Sequence, residues 1–487
     1  MVSQGTNGIA ARTVRGAVAL GIRQVIVQGA NIVGGILLSR LLSPREFGFF
    51  AIVTFLLAFL NTFGGTGFAA NLIRQSREPT GSDISSVFTV QQIVVALMAI
   101  AIWVTSPVFA TMYGLPQGGA WVFRLLAPAL IATSLMVIPQ VTLERNLEFS
   151  GLAAIEGTQA VVFNASAVIA AANGLGPLSF SLALLLRALA GAILANLIRP
   201  WPIRLSLEIQ VARRHLAFGL PFQGIGAISL LKDSITPIFV GLFLGVGQVG
   251  LVNWATMVSG YVVMALMIFG RLYMPAFARL QHQPERLGHF VERVIATTNA
   301  ITAPIAMIML VLFDPITHHV FGDKWFVAAP LFYLLWIGNL VVPTSTPLMG
   351  LLNALGKSRT AFGFAVMWMA GTWILGLPLI SLFGVLGFGL ATLGVQATNL
   401  ILFRVAQRAV PFRVVAVVGR FWVLAGVLAL PLAGLRVTLP QMSFPTVLLA
   451  AALYACAYTG SLAISHRAAT RQVLSTIRGM LWTRSQS

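Results

Sequence analysis

LSFSLALLLRALAGAILANLI, residues 178–198, carries one charge, Arg187, in an otherwise apolar run. About 20 such residues cross the roughly 30 Å of hydrocarbon in a bilayer, so the stretch reads as a membrane-spanning helix. Working outward, comparable runs lie near 16–38, 47–73, 84–106, 121–141, 151–172, 215–244, 249–274, 293–313, 326–350, 361–381, 386–405, 414–433 and 444–464. The expectation is an all-α, polytopic transmembrane bundle of about 14 spans. The run 215–244 is the least regular, because Pro221 and Pro237 interrupt it. A proline removes a helix donor and bends the span, which neighbouring helices or water in a bundle can compensate.

Composition agrees with that reading. The 487 residues are 58% apolar and only 9% charged, with a mean hydropathy of +0.90. Soluble domains carry about 25% charged residues, so a soluble chain of this kind would lack a wettable surface. The formal charge of +19, from 31 basic and 12 acidic residues, invites a nucleic-acid reading. The basic residues sit in short loops between apolar runs and form no continuous basic domain, so no nucleic-acid partner is expected. Cys456 is the single cysteine, which excludes an intrachain disulfide. Arg12 and Arg15 precede the first long run without a small-residue cleavage site, so that run is read as a retained span.

The loops set the orientation. Arg12, Arg15, Arg74, Arg77, Arg145, Arg199, Arg204, Arg213, Arg214, Arg279, Arg286, Arg293, Lys357, Arg359, Arg404, Arg408, Arg413 and four arginines of the tail fall on one side, and Arg40, Arg45, Lys324 and Arg436 on the other, 21 against 4. The positive-inside rule places the rich side in the cytoplasm, with both termini there and an even number of spans. The asymmetry also accounts for most of the net charge.

The chain repeats itself. Leu41-Leu42-Ser43-Pro44-Arg45-Glu46-Phe47-Gly48-Phe49 joins the first two spans, and Phe243-Leu244-Gly245-Val246-Gly247-Gln248-Val249-Gly250-Leu251 joins the seventh and eighth at a shift of 202 residues. Gly174-Leu175-Gly176 and Gly384-Val385-Leu386-Gly387 keep a similar offset. The expected organisation is an N-terminal lobe over 1–205, a C-terminal lobe over 206–410, and two appended helices with a basic cytoplasmic tail over 411–487. Repeats of this kind build two-lobed secondary transporters with the substrate between the lobes.

Enzyme motifs are missing. Gly350 and Gly356-Lys357-Ser358 suggest a phosphate-binding loop, but Leu351 stands where that motif needs glycine and no strand precedes it. His318 and His319 share a loop with Asp314 and Asp323; adjacent histidines project in different directions, so a solvated loop is favoured over a metal site. No catalytic residue, metal or cofactor is expected.

Polar groups inside the spans carry the functional signal, since an ionisable side chain costs at least about 2.5 kcal/mol at a helix centre. Arg23 shares one face of the first span with Gln24, Gln28 and Asn31 at 100° per residue. Glu156, Gln159 and Asn164 make the fifth span partly polar, and Arg187 is in mid-sixth span, where a structural pairing with Glu156 is the plain alternative. Lys232 and Asp233 are neighbours in the seventh span, about 100° apart, and so are expected to find separate partners. Arg124 and Arg271 lie near span ends, where snorkelling to the interface competes with a cavity role. The candidate cavity set is Arg23, Arg124, Arg187, Lys232 and Arg271, with Asp233 and Glu156 as candidates for ion or proton coupling. Its cationic balance suits an anionic ligand.

Several segments bear a family likeness. Ser39-Arg40-Leu41-Leu42-Ser43-Pro44-Arg45-Glu46-Phe47-Gly48 resembles the first-loop signature of bacterial Wzx-type oligosaccharide flippases, in the polysaccharide-transporter branch of the MOP superfamily. Gly67-Phe68-Ala69-Ala70-Asn71-Leu72-Ile73-Arg74-Gln75, Leu143-Glu144-Arg145-Asn146-Leu147-Glu148-Phe149, Pro275-Ala276-Phe277-Ala278-Arg279-Leu280-Gln281 and Phe321-Gly322-Asp323-Lys324-Trp325 fit the same branch. Their order and spacing over most of 1–410 carry the likeness. It implies two six-helix lobes around a central cavity in an inner membrane. It also implies alternating-access transfer of an undecaprenyl-pyrophosphate-linked oligosaccharide to the outer leaflet, for exopolysaccharide or O-antigen (lipopolysaccharide) synthesis. The partners implied are that lipid-borne cargo, membrane lipid, and a polymerase and glycosyltransferases acting on the same sugars. Asp233 matches an acidic position of the seventh helix in relatives; Lys232 departs from their pattern. A multidrug or cation antiporter of the same superfamily and a flippase for a peptidoglycan lipid precursor are the competing transport readings. A membrane-embedded polymerase is disfavoured, because the longest outer loops, around 107–120 and 314–325, are short.

Overall fold

A computed structural model describes residues 23–64, 72, 78–206, 208–210, 226–264 and 266–465. The described chain is helical throughout. In order, the helices are α1 Arg23–Leu41, α2 Pro44–Gly64, α3 Gly81–Met112, α4 Trp121–Arg145, α5 Phe149–Ala172, α6 Leu178–Ile198, α7 Gly226–Leu244, α8 Val246–Gly260, α9 Leu266–Leu280, α10 Pro284–Val311, α11 Ala329–Asn339, α12 Val342–Ala354, α13 Ser358–Phe383, α14 Val385–Ala409, α15 Val414–Thr438 and α16 Phe444–Ser465. Twelve helices among the described residues are long and apolar enough to cross a bilayer. A thirteenth is added if Asp323–Asn339 and Val342–Ala354, bent by 43° at their junction, form one span. Pro343 opens α12 and Pro347 lies inside it, which accounts for a bend at this place.

The expected run 249–274 is not one helix. It divides into α8 and α9 around a turn at 261–264. Residues 215–225 of the run 215–244 lie outside the described residues; the rest is α7, whose C-terminal half, Ile235–Leu244, is a π-helix ending at Gly245 with φ 94°. The terminal arginines, Arg213, Arg214, and most of the segment 67–75 likewise lie outside the described residues.

Helix starts follow local chemistry. At α2, the Ser43 amide and hydroxyl both donate to Glu46 Oε2 at 2.7 Å, while the Glu46 amide donates back to Ser43 Oγ at 3.3 Å. This reciprocal cap, with Pro44 as first helical residue, gives a sharp start to the helix. Arg45 Nη2 donates to the Gly114 carbonyl at 2.7 Å and ties this tip to the loop after α3. Thr80 and Asp83 form the same type of cap at α3.

The described residues pack as two compact units. The first holds residues up to Met257 with Val327–Leu334 and Arg359–Val395; the second holds Val258–Phe326, Leu335–Ser358 and residues from Gln396 onward. In the first, α5 and α6 form the most extensive pairing. Small residues permit close approach, as where Ala129 and Ala132 of α4 meet Ala188 of α6, the mode of packing expected where no hydrophobic force separates helix from lipid. In the second, α15 lies along α10 over Ala303, Phe421, Ala425 and Tyr458. Large apolar side chains such as Val104, Ile169, Ile193 and Leu197 stay exposed, as suits a lipid-facing surface.

Candidate substrate-binding site

The first unit brings together the polar residues of α1, α5 and α6. Arg23 Nη1 lies 3.1 Å from Glu156 Oε2 and 3.2 Å from Oε1. The Arg23 side chain is 12% exposed and that of Glu156 39%, so the carboxylate reaches open space while the guanidinium is held inside. Arg23 Nε is buried without a hydrogen-bond partner. A guanidinium offers five donors, so the ion pair leaves part of this one unused.

The same seam continues along α5. Gln159, one turn past Glu156, donates from Nε2 to Met136 Sδ at 3.2 Å. Asn164 donates to Asn31 Oδ1 at 3.1 Å and to the Ala160 carbonyl at 2.8 Å. Gly34 admits that amide, which would overlap any Cβ placed there. One polar stripe on α1 therefore faces one polar stripe on α5, the arrangement that keeps such groups out of hydrocarbon.

Arg187 on α6 is exposed and lies within the field of Glu156. Among the described residues Glu156 forms its ion pair with Arg23; the pairing of Arg187 with Glu156 weighed from the sequence is not made. Arg187 thus lies beside a carboxylate that is already engaged by Arg23. Glu144, in the last turn of α4, also lies within the field of Glu156. Nothing in the residue pattern pointed to this, because Glu144 adjoins Arg145, which counts among the loop cations.

The other candidates are placed differently. Lys232 Nζ lies 3.3 Å from Asp233 Oδ1, against the expectation that these neighbours would find separate partners. The helix leaves ideal α geometry at Ser234 and continues as a π-helix. The flexible lysine stem spans the remaining angle. Arg124 donates from Nε to Ser106 Oγ at 3.2 Å, and its guanidinium lies 5.4 Å from the centroids of both Trp103 and Trp121. Two partly exposed tryptophans thus hold the guanidinium of Arg124. Arg271 belongs to α9, but its side chain lies outside the described residues. His318 Nδ1 meets Asp323 Oδ1, and His319 Nε2 meets the Met442 carbonyl. These contacts fasten the loop, and no metal-binding group of three His, Cys, Asp or Glu residues occurs among the described residues.

Residues 37–330 match the family model described as polysaccharide biosynthesis protein. The chain belongs to that family. It is 25% identical to the lipopolysaccharide biosynthesis protein WzxC of Escherichia coli (strain K12), over 80% of each chain. It is 24% identical to the succinoglycan biosynthesis transport protein ExoT of Rhizobium meliloti (strain 1021), over 68% of this chain and 67% of that one. Its fold is that of the lipid II flippase MurJ in an inward closed conformation, with a TM-score of 0.73 at 13% identity over 93% of this chain and 98% of MurJ. The family member described here is thus a multi-pass membrane protein of polysaccharide biosynthesis.

Proposed function

We propose that the protein flips an undecaprenyl-pyrophosphate-linked oligosaccharide repeat unit to the outer leaflet by alternating access, for exopolysaccharide or O-antigen synthesis. The observation that carries the reading is the Arg23–Glu156 pair beside the exposed Arg187. A pyrophosphate head cannot enter hydrocarbon unaided, whereas a polyprenyl tail need never leave it. Arginine forks bind phosphate oxygens in pairs. Arg187 offers first capture, and an incoming anion can then compete with Glu156 for Arg23.

In this reading the chain divides into lobes over 1–205 and 206–410 with two appended helices, and both termini are cytoplasmic. Lys232 and Asp233 supply a second charged position on α7, and Arg271 a further cation near the end of its span. Glu156 is the better placed coupling acid, since it is the carboxylate that holds Arg23. Arg124 serves as an anchor and not as a cargo ligand.

The test is complementation of polymer export in a strain lacking the gene. Arg187→Ala and Arg23→Ala should each abolish polymer while the protein remains at normal level in the membrane, and Arg124→Lys should retain it. Full polymer restoration by both alanine variants would refute the cationic-site mechanism.

A further inference from the structure

The repeat seen in the sequence returns as a physical contact. α2 begins at Pro44 and α8 at Val246, and one turn into each helix is a glycine, Gly48 and Gly250. The differences 250 − 48 and 246 − 44 both equal 202. A Cβ added to Gly48 would overlap the Val246 carbonyl oxygen, and one added to Gly250 would overlap the Pro44 carbonyl oxygen. The Cβ position of Gly250 is also 3.0 Å from the Gly48 amide nitrogen. Each contact is the image of the other under the repeat. Two helix starts are seated backbone against backbone.

Neither glycine has the positive φ that favours this residue type. In a helix interior glycine costs roughly 1 kcal/mol relative to alanine, so backbone conformation gives no reason for either one. Close approach does, since each bare Cα turns a hydrogen toward the opposing carbonyl. Gly247, on the same tip, has open space around its Cβ position.

The crossing lies about one helical turn from a cavity. At 100° per residue, Ile52 and Phe55 lie on the Gly48 face of α2. They line an apolar cavity of about 280 Å³ together with Leu231, Ser234 and Pro237 of α7. Tyr113 Oη donates to the Pro237 carbonyl at 3.1 Å across the same space. A seat of this kind interlocks no large side chains, so it can part and re-form without repacking rotamers.

We infer that the reciprocal Gly48–Gly250 crossing is a reversible latch that closes the outer end of this cavity. The inference rests on the alternating-access reading above, with the tips placed outside by the basic-loop asymmetry. A single methyl on either glycine holds the latch ajar, and the repeat makes the two substitutions equivalent.

The experiment places Phe55→Cys in a Cys456→Ser background and labels intact spheroplasts with a membrane-impermeant maleimide. Gly48→Ala and Gly250→Ala should each raise the labelling rate at least about fivefold, the lower end of what one overpacked methyl does to a two-state balance. Gly247→Ala should leave it unchanged. Val246→Ala removes the Cγ1 atom facing Gly48 and adds none; it should also raise labelling, and it decides the matter if an alanine protein fails to accumulate. Unchanged labelling in the accumulated variants, a response of only one glycine, or an equal response of Gly247→Ala would overturn the latch. The labelling involves no cargo, so it can fail while polymer export stands, and export can fail while labelling responds.

Discussion

Arg23 and Glu156 are the residues on which most depends. Glu156 is 39% exposed, so its desolvation is partial and the pair is worth less than a fully buried one. Removing the guanidinium leaves a partly exposed carboxylate short of a charged donor, which costs about 1 kcal/mol. Arg23→Gln and Glu156→Gln should each lower the unfolding temperature of the detergent-solubilised protein. In a double-mutant cycle the combined variant should lose less than the sum of the two, and strict additivity would show that the pair contributes nothing. The sequence identified both residues through the cost of charge in a span, but not their pairing. Rotation about the helix axis follows from spacing; which face meets which depends on packing between helices 133 positions apart. Lys232 and Asp233 failed in the opposite sense, because an ideal 100° step was applied where the helix is about to leave α geometry.

Among the elements, α7 departs furthest from an ideal helix and leans on its neighbours. Tyr113 donates to Pro237 O, and Trp373 Nε1 donates to Leu231 O at 2.7 Å. Tyr113 lies just beyond the last residue of α3, and burial pushes its phenol above the ordinary value of 10.0. The neutral form is therefore favoured by folding. Its contribution is fully present below pH 10 and is lost only as pH rises through the raised value. Tyr113→Phe should cost about 0.5–1.5 kcal/mol, seen as a lowered unfolding temperature of equal size at pH 6 and pH 8; a penalty that differed between the two would contradict this assignment.

In the second unit, Trp422 Nε1 of α15 donates to Asn299 Oδ1 at 3.0 Å, and Asn299 Nδ2 donates to Thr344 Oγ1 at 3.1 Å. Asn299 is fully buried, so Asn299→Ala strands two polar partners, at about 1–3 kcal/mol. It should loosen α15 from α10, read as faster proteolysis in the 410–413 linker; unchanged proteolysis would contradict a bolting role. Helices were legible as apolar runs about 20 residues long, whereas the bend between α11 and α12 was not, although Pro343 and Pro347 lie there inside the expected single span 326–350. The division of 249–274 was not, because no proline or charge marks the turn at 261–264 and hydropathy runs through it unbroken.

For the whole molecule, hydropathy sufficed for a polytopic membrane protein, since only a bilayer accommodates so much exposed Val, Ile and Leu. The cargo has a different standing. The proposed site, Arg23 and Glu156 with Arg187, suits an anionic head, and family membership directs the cargo to polysaccharide synthesis. The shift of 202 residues was legible as a weak likeness between two loops; its meaning became visible when Gly48 and Gly250 met. The most direct measurement is transfer in proteoliposomes containing the purified protein and an undecaprenyl-pyrophosphate-linked oligosaccharide in the inner leaflet. The fraction of sugar open to an external glycosidase should rise with time in vesicles carrying the wild-type protein, and should stay at the empty-vesicle level with Arg187→Ala. Equal exposure in wild-type, variant and empty vesicles would contradict the account.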